Sequence, residues 1–231
     1  MKANDYVRGN IAYHETLSPI TWDNGILRPD VQIKLLQIAK KFVGYLEIPN
    51  FQVLDVVLTG SMANYNWTKF SDFDLHIVTK YSNLQCDDLA EAFYQAKKKI
   101  WNDTHDITIH GHEAELYVED IEQPPVSAGM YSLLDDKWIK KPEYNPPGIN
   151  DTAINQKVNG LIKQINSAIE SNDADDIKRL MTKIRKMRRS GLDNAGEFGT
   201  ENLAFKVLRN LGYINQLNTE YIRKQDRELS I

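Results

Sequence analysis

Apolar residues recur at helical spacing from residue 31 onward. Val31, Leu35, Ile38, Ala39, Phe42 and Leu46 mark one face of a helix that Pro49-Asn50 ends, with Asp30 as its expected N-cap. The period then changes. Val53 to Thr59 is short, continuous and β-branched, the pattern of a buried strand, and it stops at Gly60-Ser61. Phe73-Asp74-Leu75-His76-Ile77-Val78 reads as a second strand. Leu89 to Trp101 predicts an amphipathic helix with Lys97, Lys98 and Lys99 near its end, where the helix dipole favours cations. Ile107–Ile109 and Glu113–Val118 are further strand segments around His110-Gly111-His112, forming either a hairpin or one bulged strand.

Residues 120–150 carry five prolines and two glycines and so read as a long connection, to which 130–134 adds a short element. After Asn150 the pattern is helical to the end. Ile154, Val158, Leu161, Ile165 and Ile169 mark one helix, and Ile177, Leu180, Ile184 and Met187 a second. Leu203–Leu211 is a third with Thr200 as its cap, and 213–227 a fourth. Residues 1–29, with Pro19, Gly25 and Pro29, show little periodicity. The expected organisation is an N-terminal arm (1–29), an α/β (α+β) domain (30–145) and a C-terminal α-helical bundle (146–231).

Composition narrows the class. The 231 residues, 42% of them hydrophobic, suffice for one catalytic domain with a helical partner. No run of eighteen apolar residues and no apolar signal core occur, and the single Cys86 fits a reducing compartment, so the expectation is a cytoplasmic protein with no membrane segment. A buried or incidental thiol is the expected role of Cys86. Net charge is −4, which argues against a polycation that coats nucleic acid. The charge is uneven, however: seven cations fall within 178–189, whereas 113–122 is acidic.

One stretch carries chemistry. A strand ends in Gly60-Ser61, a short turn of helix intervenes, and the next strand opens with Ser71-Asp72-Phe73-Asp74-Leu75. Gly60 lets the backbone approach a ligand without a Cβ in the way, and the hydroxyl and free N–H groups at Ser61 suit a phosphate. Asp72 and Asp74 are two apart on a strand and project from one face. Two clustered carboxylates repel unless a cation lies between them, and hard oxygen ligands favour Mg²⁺, or Mn²⁺ in its place. Phosphate grip beside a divalent metal is the apparatus of phosphoryl or nucleotidyl transfer.

This stretch resembles the DNA polymerase β-like nucleotidyltransferase superfamily, in particular small members, phage-type ones among them, that read Gly-Ser followed by Ser-Asp-x-Asp-Leu. The resemblance covers residues 53–78 closely and 31–118 loosely. It implies a mixed sheet with flanking helices, an NTP substrate, and Asp72 and Asp74 as metal ligands. It also implies a third carboxylate on a neighbouring strand, serving as metal ligand and general base. Glu115 in Ala114-Glu115-Leu116 matches best, with Glu113 on the same face as the fallback. The chain departs from many small relatives in having Met62-Ala63-Asn64 where they carry an Arg soon after Gly-Ser. Triphosphate contacts would then come from elsewhere, with Lys183 of the basic run and Lys206 on the third helix as candidates. The acceptor is open: an RNA 3′ end, a protein hydroxyl, a small molecule or another nucleotide. The basic run 178–189 is either a solvated helix face or a site for an anionic partner.

Other residues have blander readings. His76, His110 and His112 fit no zinc spacing and are expected to face solvent or support other groups; ligand roles for them would point instead to a metal-dependent hydrolase. Tyr65 and Trp67 either stack on a base or wall the core. Glu197 and Glu201 near Gly196 and Gly199 are expected as structural caps. A nucleotide-binding or toxin/antitoxin module retaining the fold without turnover is the alternative to an enzyme, disfavoured by the intact acids.

Overall fold

The structure, a computed structural model, describes residues 5–83, 87–122, 127–171 and 173–231. Cys86 lies outside them. The chain forms two compact units, Tyr13–Asn145 and a helical unit that combines Met1–Ala12 with Pro146–Ile231. The segment expected as one arm is thus divided between the two.

The first unit opens with a two-residue hairpin, β1 (Trp22–Asp23) and β2 (Ile26–Leu27), turned by Asn24 and Gly25 at positive φ. Helix α1 (Pro29–Leu46) follows, and every apolar position expected on its inner face is buried. Its start differs from expectation. Pro29 occupies the first turn, where its missing N–H costs nothing, and Arg28 caps without a side-chain bond. Asp30 lies inside that first turn instead, where the positive helix end favours it.

A six-stranded sheet comprises β3 (Asp55–Thr59), β4 (Phe73–Thr79), β5 (Thr108–Ile109), β6 (His112–Asp120), β7 (Met130–Ser132) and β8 (Lys137–Lys140). Its order is β5-β6-β4-β3-β7-β8. The pair β4 and β6 is parallel and the other neighbours are antiparallel. A parallel neighbour requires a crossover, which helix α2 (Asp87–Thr104) supplies. Residues 107–118 make a hairpin rather than a bulged strand, because His110 (φ 51°) and Gly111 (φ 83°) both take the left-handed conformation of a two-residue turn.

Strand β4 alternates strictly between buried and half-buried residues. Phe73, Leu75 and Ile77 join Leu58, Leu116, the inner face of α1, and Ala90, Tyr94 and Trp101 of α2 in one core. The other face of the sheet carries the acids. Since α2 continues to Thr104, Lys97–Lys99 sit within the helix and not in its last turn, and no cation occupies that turn. Near its end, α2 covers the outer edge of β6. The Asn102 side chain donates Nδ2–H to the Leu116 carbonyl (3.3 Å) and accepts from the Leu116 N–H (3.2 Å), standing in for a missing strand.

The helical unit contains α3 (Asp151–Glu170), α4 (Ala174–Ala195), α5 (Thr200–Asn210) and α6 (Tyr213–Leu229). Side-chain oxygens of Asn150 and Asp173 cap α3 and α4, accepting from the N–H groups of Ala153 and Asp175. Gly199 rather than Thr200 precedes α5, and Thr200 is its first residue. Ile154, Val158, Ile165, Ile177, Leu203 and Val207 centre the core, and Val7 joins it. Tyr6 fixes that N-terminal segment through Asn155 and Asn159 of α3. Lys224 of α6 donates to the carbonyls of Ile169 (2.9 Å) and Ser171, closing the exposed end of α3 with a cation. No helix among the described residues is long and apolar enough to cross a membrane.

Candidate active site

The acidic face of the sheet is organised by strand register. Asp74 on β4 stands directly opposite Thr59 on β3 and opposite Glu115 on β6. Side chains of directly paired residues point to the same face, so Asp74 and Glu115 are neighbours with Asp72 just ahead of the strand. His76 and Tyr117 form the next pair along, stacked with ring centroids 4.7 Å apart and planes 9° from parallel. Glu113 shares the face and is exposed.

Gly60 makes room for this arrangement. Its φ of 73° and ψ of −159° belong to a region almost reserved for glycine. A Cβ there would lie 1.8 Å from Asp74 Oδ2, inside the carboxylate. Ser61 then opens the single short turn expected, a three-residue 3₁₀ turn over Ser61–Ala63. Its Oγ donates to Ser71 Oγ (2.7 Å), which also accepts from the Thr68 N–H (2.8 Å). The Ser71 carbonyl accepts from His112 Nδ1 (2.6 Å). The Gly-Ser turn and the start of the Asp-x-Asp strand are therefore tied through one buried serine. The turn is further fixed by Trp22, whose Nε1–H donates to the Met62 carbonyl (2.7 Å).

Tyr117 and Lys98, neither expected from the sequence, sit among the acids. The Tyr117 hydroxyl donates to Glu115 Oε2 (2.6 Å). Lys98 Nζ lies 3.7 Å from the centroid of the same ring. Burial foremost, then the charges of Asp74 and Glu115, the bond to Glu115 and the charge of Asp72, raise the pKa of the Tyr117 phenol far above its ordinary value. All three acids therefore act on one hydroxyl. Burial holds the Lys98 ammonium below its usual pKa, against the pull of Glu115 and Asp74. A pocket of about 330 Å³ opens beside Glu115, lined by the end of α2 and by Glu113 and Ala114.

The histidines separate. His112 is buried, because an even-numbered position on β6 faces the core, and it takes the supporting one of its two expected roles by bonding the Ser71 carbonyl. His110 is exposed and pairs with Asp30 (2.9 Å). His76 Nδ1 lies 3.0 Å from Glu119 Oε2. Tyr65 packs with Tyr13 and Tyr144, and Trp67 stacks on His14 at 3.7 Å. Lys183 and Lys206 belong to the helical unit, where Lys183 donates to Gln164 (2.8 Å) and Lys206 pairs with Glu197 (2.9 Å). Glu201, in the first turn of α5, pairs with Lys157 and also takes a backbone hydrogen bond on its carboxylate.

Among the described residues no group of three or more His, Cys, Asp or Glu side chains is gathered to hold a metal ion. Mg²⁺ commonly takes one or two carboxylates and completes its shell with phosphate and water, so a protein-only cage is not required. Asp72 and Asp74 supply hard oxygens, and the gap at Gly60 keeps the Asp74 carboxylate where a Cβ would displace it. The donor set fits such an ion.

A family model for the nucleotidyltransferase domain matches residues 35–152, just over half of the chain. No curated protein matches. Among solved structures, that of the STING-associated CdnE c-di-GMP synthase from Capnocytophaga granulosa is similar over 87% of this chain and 84% of its own, at 13% identity. Its TM-score of 0.22 is too low to carry an argument.

Proposed function

The chain belongs to the nucleotidyltransferase domain family, and on that basis we propose that it moves a nucleoside monophosphate from an NTP to an acceptor hydroxyl, releasing pyrophosphate. The observation that carries this is the placement of Asp74 directly opposite Glu115, with Gly60 shaped around the Asp74 carboxylate.

Asp72 and Asp74 would hold Mg²⁺ or Mn²⁺, and Glu115 would offer it a further oxygen. When bound, such an ion neutralises phosphate charge and polarises the phosphorus that is attacked. The chain's own residues do the rest. Ser61 turns its hydroxyl from Ser71 to the β- or γ-phosphate, and Gly60 lets the phosphates come close to the backbone. Glu115 takes the proton of the acceptor hydroxyl as its oxygen forms a bond to the α-phosphorus. The bond from that phosphorus to the bridging oxygen breaks, and pyrophosphate leaves with the electron pair. Tyr117 engages Glu115 Oε2, which leaves Oε1 to face the acceptor. The pocket beside Glu115 gives the acceptor room.

Calorimetric titration with each of the four NTPs, with and without Mg²⁺, tests this. Mg²⁺-dependent binding of at least one NTP is expected, and its loss in Asp72→Ala/Asp74→Ala. Equal binding by that double variant would overturn the assignment.

A further inference from the structure

Helix α4 carries a feature the catalytic reading does not use. Between Ile177 and Ser190 it contains seven cations and no acid, in a chain whose net charge is −4. At 3.6 residues per turn, its buried residues Ile177, Leu180, Ile184 and Gly191 define one face. Lys178, Thr182, Arg185, Lys186 and Arg189 fall on the face diametrically opposite, and all are exposed. The row from 178 to 189 spans about 16 Å at the helical rise of ~1.5 Å per residue. Asp175 and Asp193 bracket it at either end.

These cations differ from others in the same unit. Lys157, Lys206 and Arg223 are paired with Glu201, Glu197 and Glu220, and Arg179, to the side of the row, is paired with Asp176. Lys178, Arg185, Lys186 and Arg189 make no ion pair among the described residues. Four like charges held side by side on a rigid helix repel one another, a cost that Asp175 and Asp193 relieve only at the two ends of the row. A polyanion would offset it.

We propose that this row binds the phosphate backbone of nucleic acid, without reading its bases. Charge complementarity selects the partner. An interface with a folded protein, or insertion into a lipid surface, needs an apolar centre. The apolar side of α4 is already buried in the bundle, and its one large exposed apolar residue among those described is Leu192, at the edge of the row. Repeated anionic groups along a flexible strand require only the cations. The proposal is independent of the catalytic assignment.

The test is fluorescence anisotropy of a labelled 20-nucleotide single-stranded RNA of mixed sequence, titrated with the full chain. Four contacts to a single strand give a log–log salt slope near −3, so affinity should fall about 60-fold between 50 and 200 mM NaCl. Lys178→Gln/Arg185→Gln/Lys186→Gln/Arg189→Gln should lose at least about 50-fold at 50 mM NaCl, consistent with non-specific dissociation constants of roughly 10⁻⁴–10⁻⁶ M for intact sites. Circular dichroism melting verifies that this variant folds. As a charge control, Lys34→Gln/Lys40→Gln/Lys41→Gln, on exposed positions of α1, should bind as the native chain does. Three results would overturn the proposal: no RNA binding by the native chain at 100 µM protein and 50 mM NaCl, equal losses in the two variants, or binding to phosphatidylserine vesicles without binding to RNA.

Discussion

Gly60→Ala isolates the steric device at the centre of the acidic face. Two costs follow from the geometry. At φ 73° and ψ −159° an alanine is held where only glycine is comfortable, at about 1–3 kcal/mol. The new Cβ also lies 1.8 Å from Asp74 Oδ2 and 2.8 Å from its Cγ, so the carboxylate must swing away. Asp74 is a short, rotatable side chain, and forcing it off its rotamer costs about 0.5–1.5 kcal/mol. The sum, about 1.5–4.5 kcal/mol, corresponds to a fall in Tm of roughly 3–18 °C for a chain of this length. Binding should suffer more than stability, because the displaced group is the proposed metal ligand. Gly111→Ala is the reference: its φ is also positive, at 83°, yet nothing lies within 4 Å of its Cβ, leaving only the left-handed penalty of ~1 kcal/mol. The decisive comparison is Gly60→Ala in native and Asp74→Ala backgrounds, by urea unfolding. Removing the carboxylate should relieve the clash and return about 1 kcal/mol. An identical loss in both backgrounds, together with native Mg²⁺·NTP binding by Gly60→Ala, would refute the reasoning.

Three further outcomes are expected. Tyr117→Phe leaves Glu115 Oε2 without its donor and should cost about 1–3 kcal/mol in urea unfolding, whereas unchanged stability would show that water replaces the phenol. Asn102→Ala uncovers the Leu116 N–H and carbonyl together and should cost about 2 kcal/mol, with faster amide exchange at Leu116; native exchange there would show that the strand edge needs no cover. The hydrogen bond from Lys157 first, together with its charge, lowers the pKa of Glu201 below the ordinary 4.5. A depressed carboxylate contributes stability above its unfolded pKa and loses it as pH falls through the folded one. The stability difference between the native chain and Lys157→Met should therefore be constant near neutrality and shrink below about pH 4.5; a constant difference down to pH 3 would exclude the linkage.

The sequence by itself determined most elements whose signal is local, although the segment read as an arm holds the β1–β2 hairpin turned at Asn24-Gly25. The apolar positions of α1, α3 and α4 follow from the 3.6-residue period, and the alternation in β4 places Asp74 on the face opposite Phe73 and Leu75 without reference to any partner. The match of Gly60-Ser61 and Asp72-x-Asp74 to a known pattern was likewise readable, because those residues lie within one short stretch of chain. Tertiary structure decided what depends on register and packing. Glu115 becomes the partner of Asp74 only through the parallel pairing of β4 with β6, and a slip of one residue would have turned it into the core. The same pairing seats Tyr117 against Glu115 and brings Lys98 from a helix seventeen residues earlier in the chain than Glu115, so a lysine that looked like dipole decoration lies among the acids. His112 and Asn102 looked like ordinary polar residues; one is buried against Ser71 and the other completes a sheet edge. Residues 5–12 carry no periodicity that could assign them to a helical bundle 140 residues onward, yet Val7 and Tyr6 pack there. Local backbone geometry imposes a period that a single segment reveals, whereas register and docking are chosen by the burial of distant surfaces against each other, which no window along the chain contains.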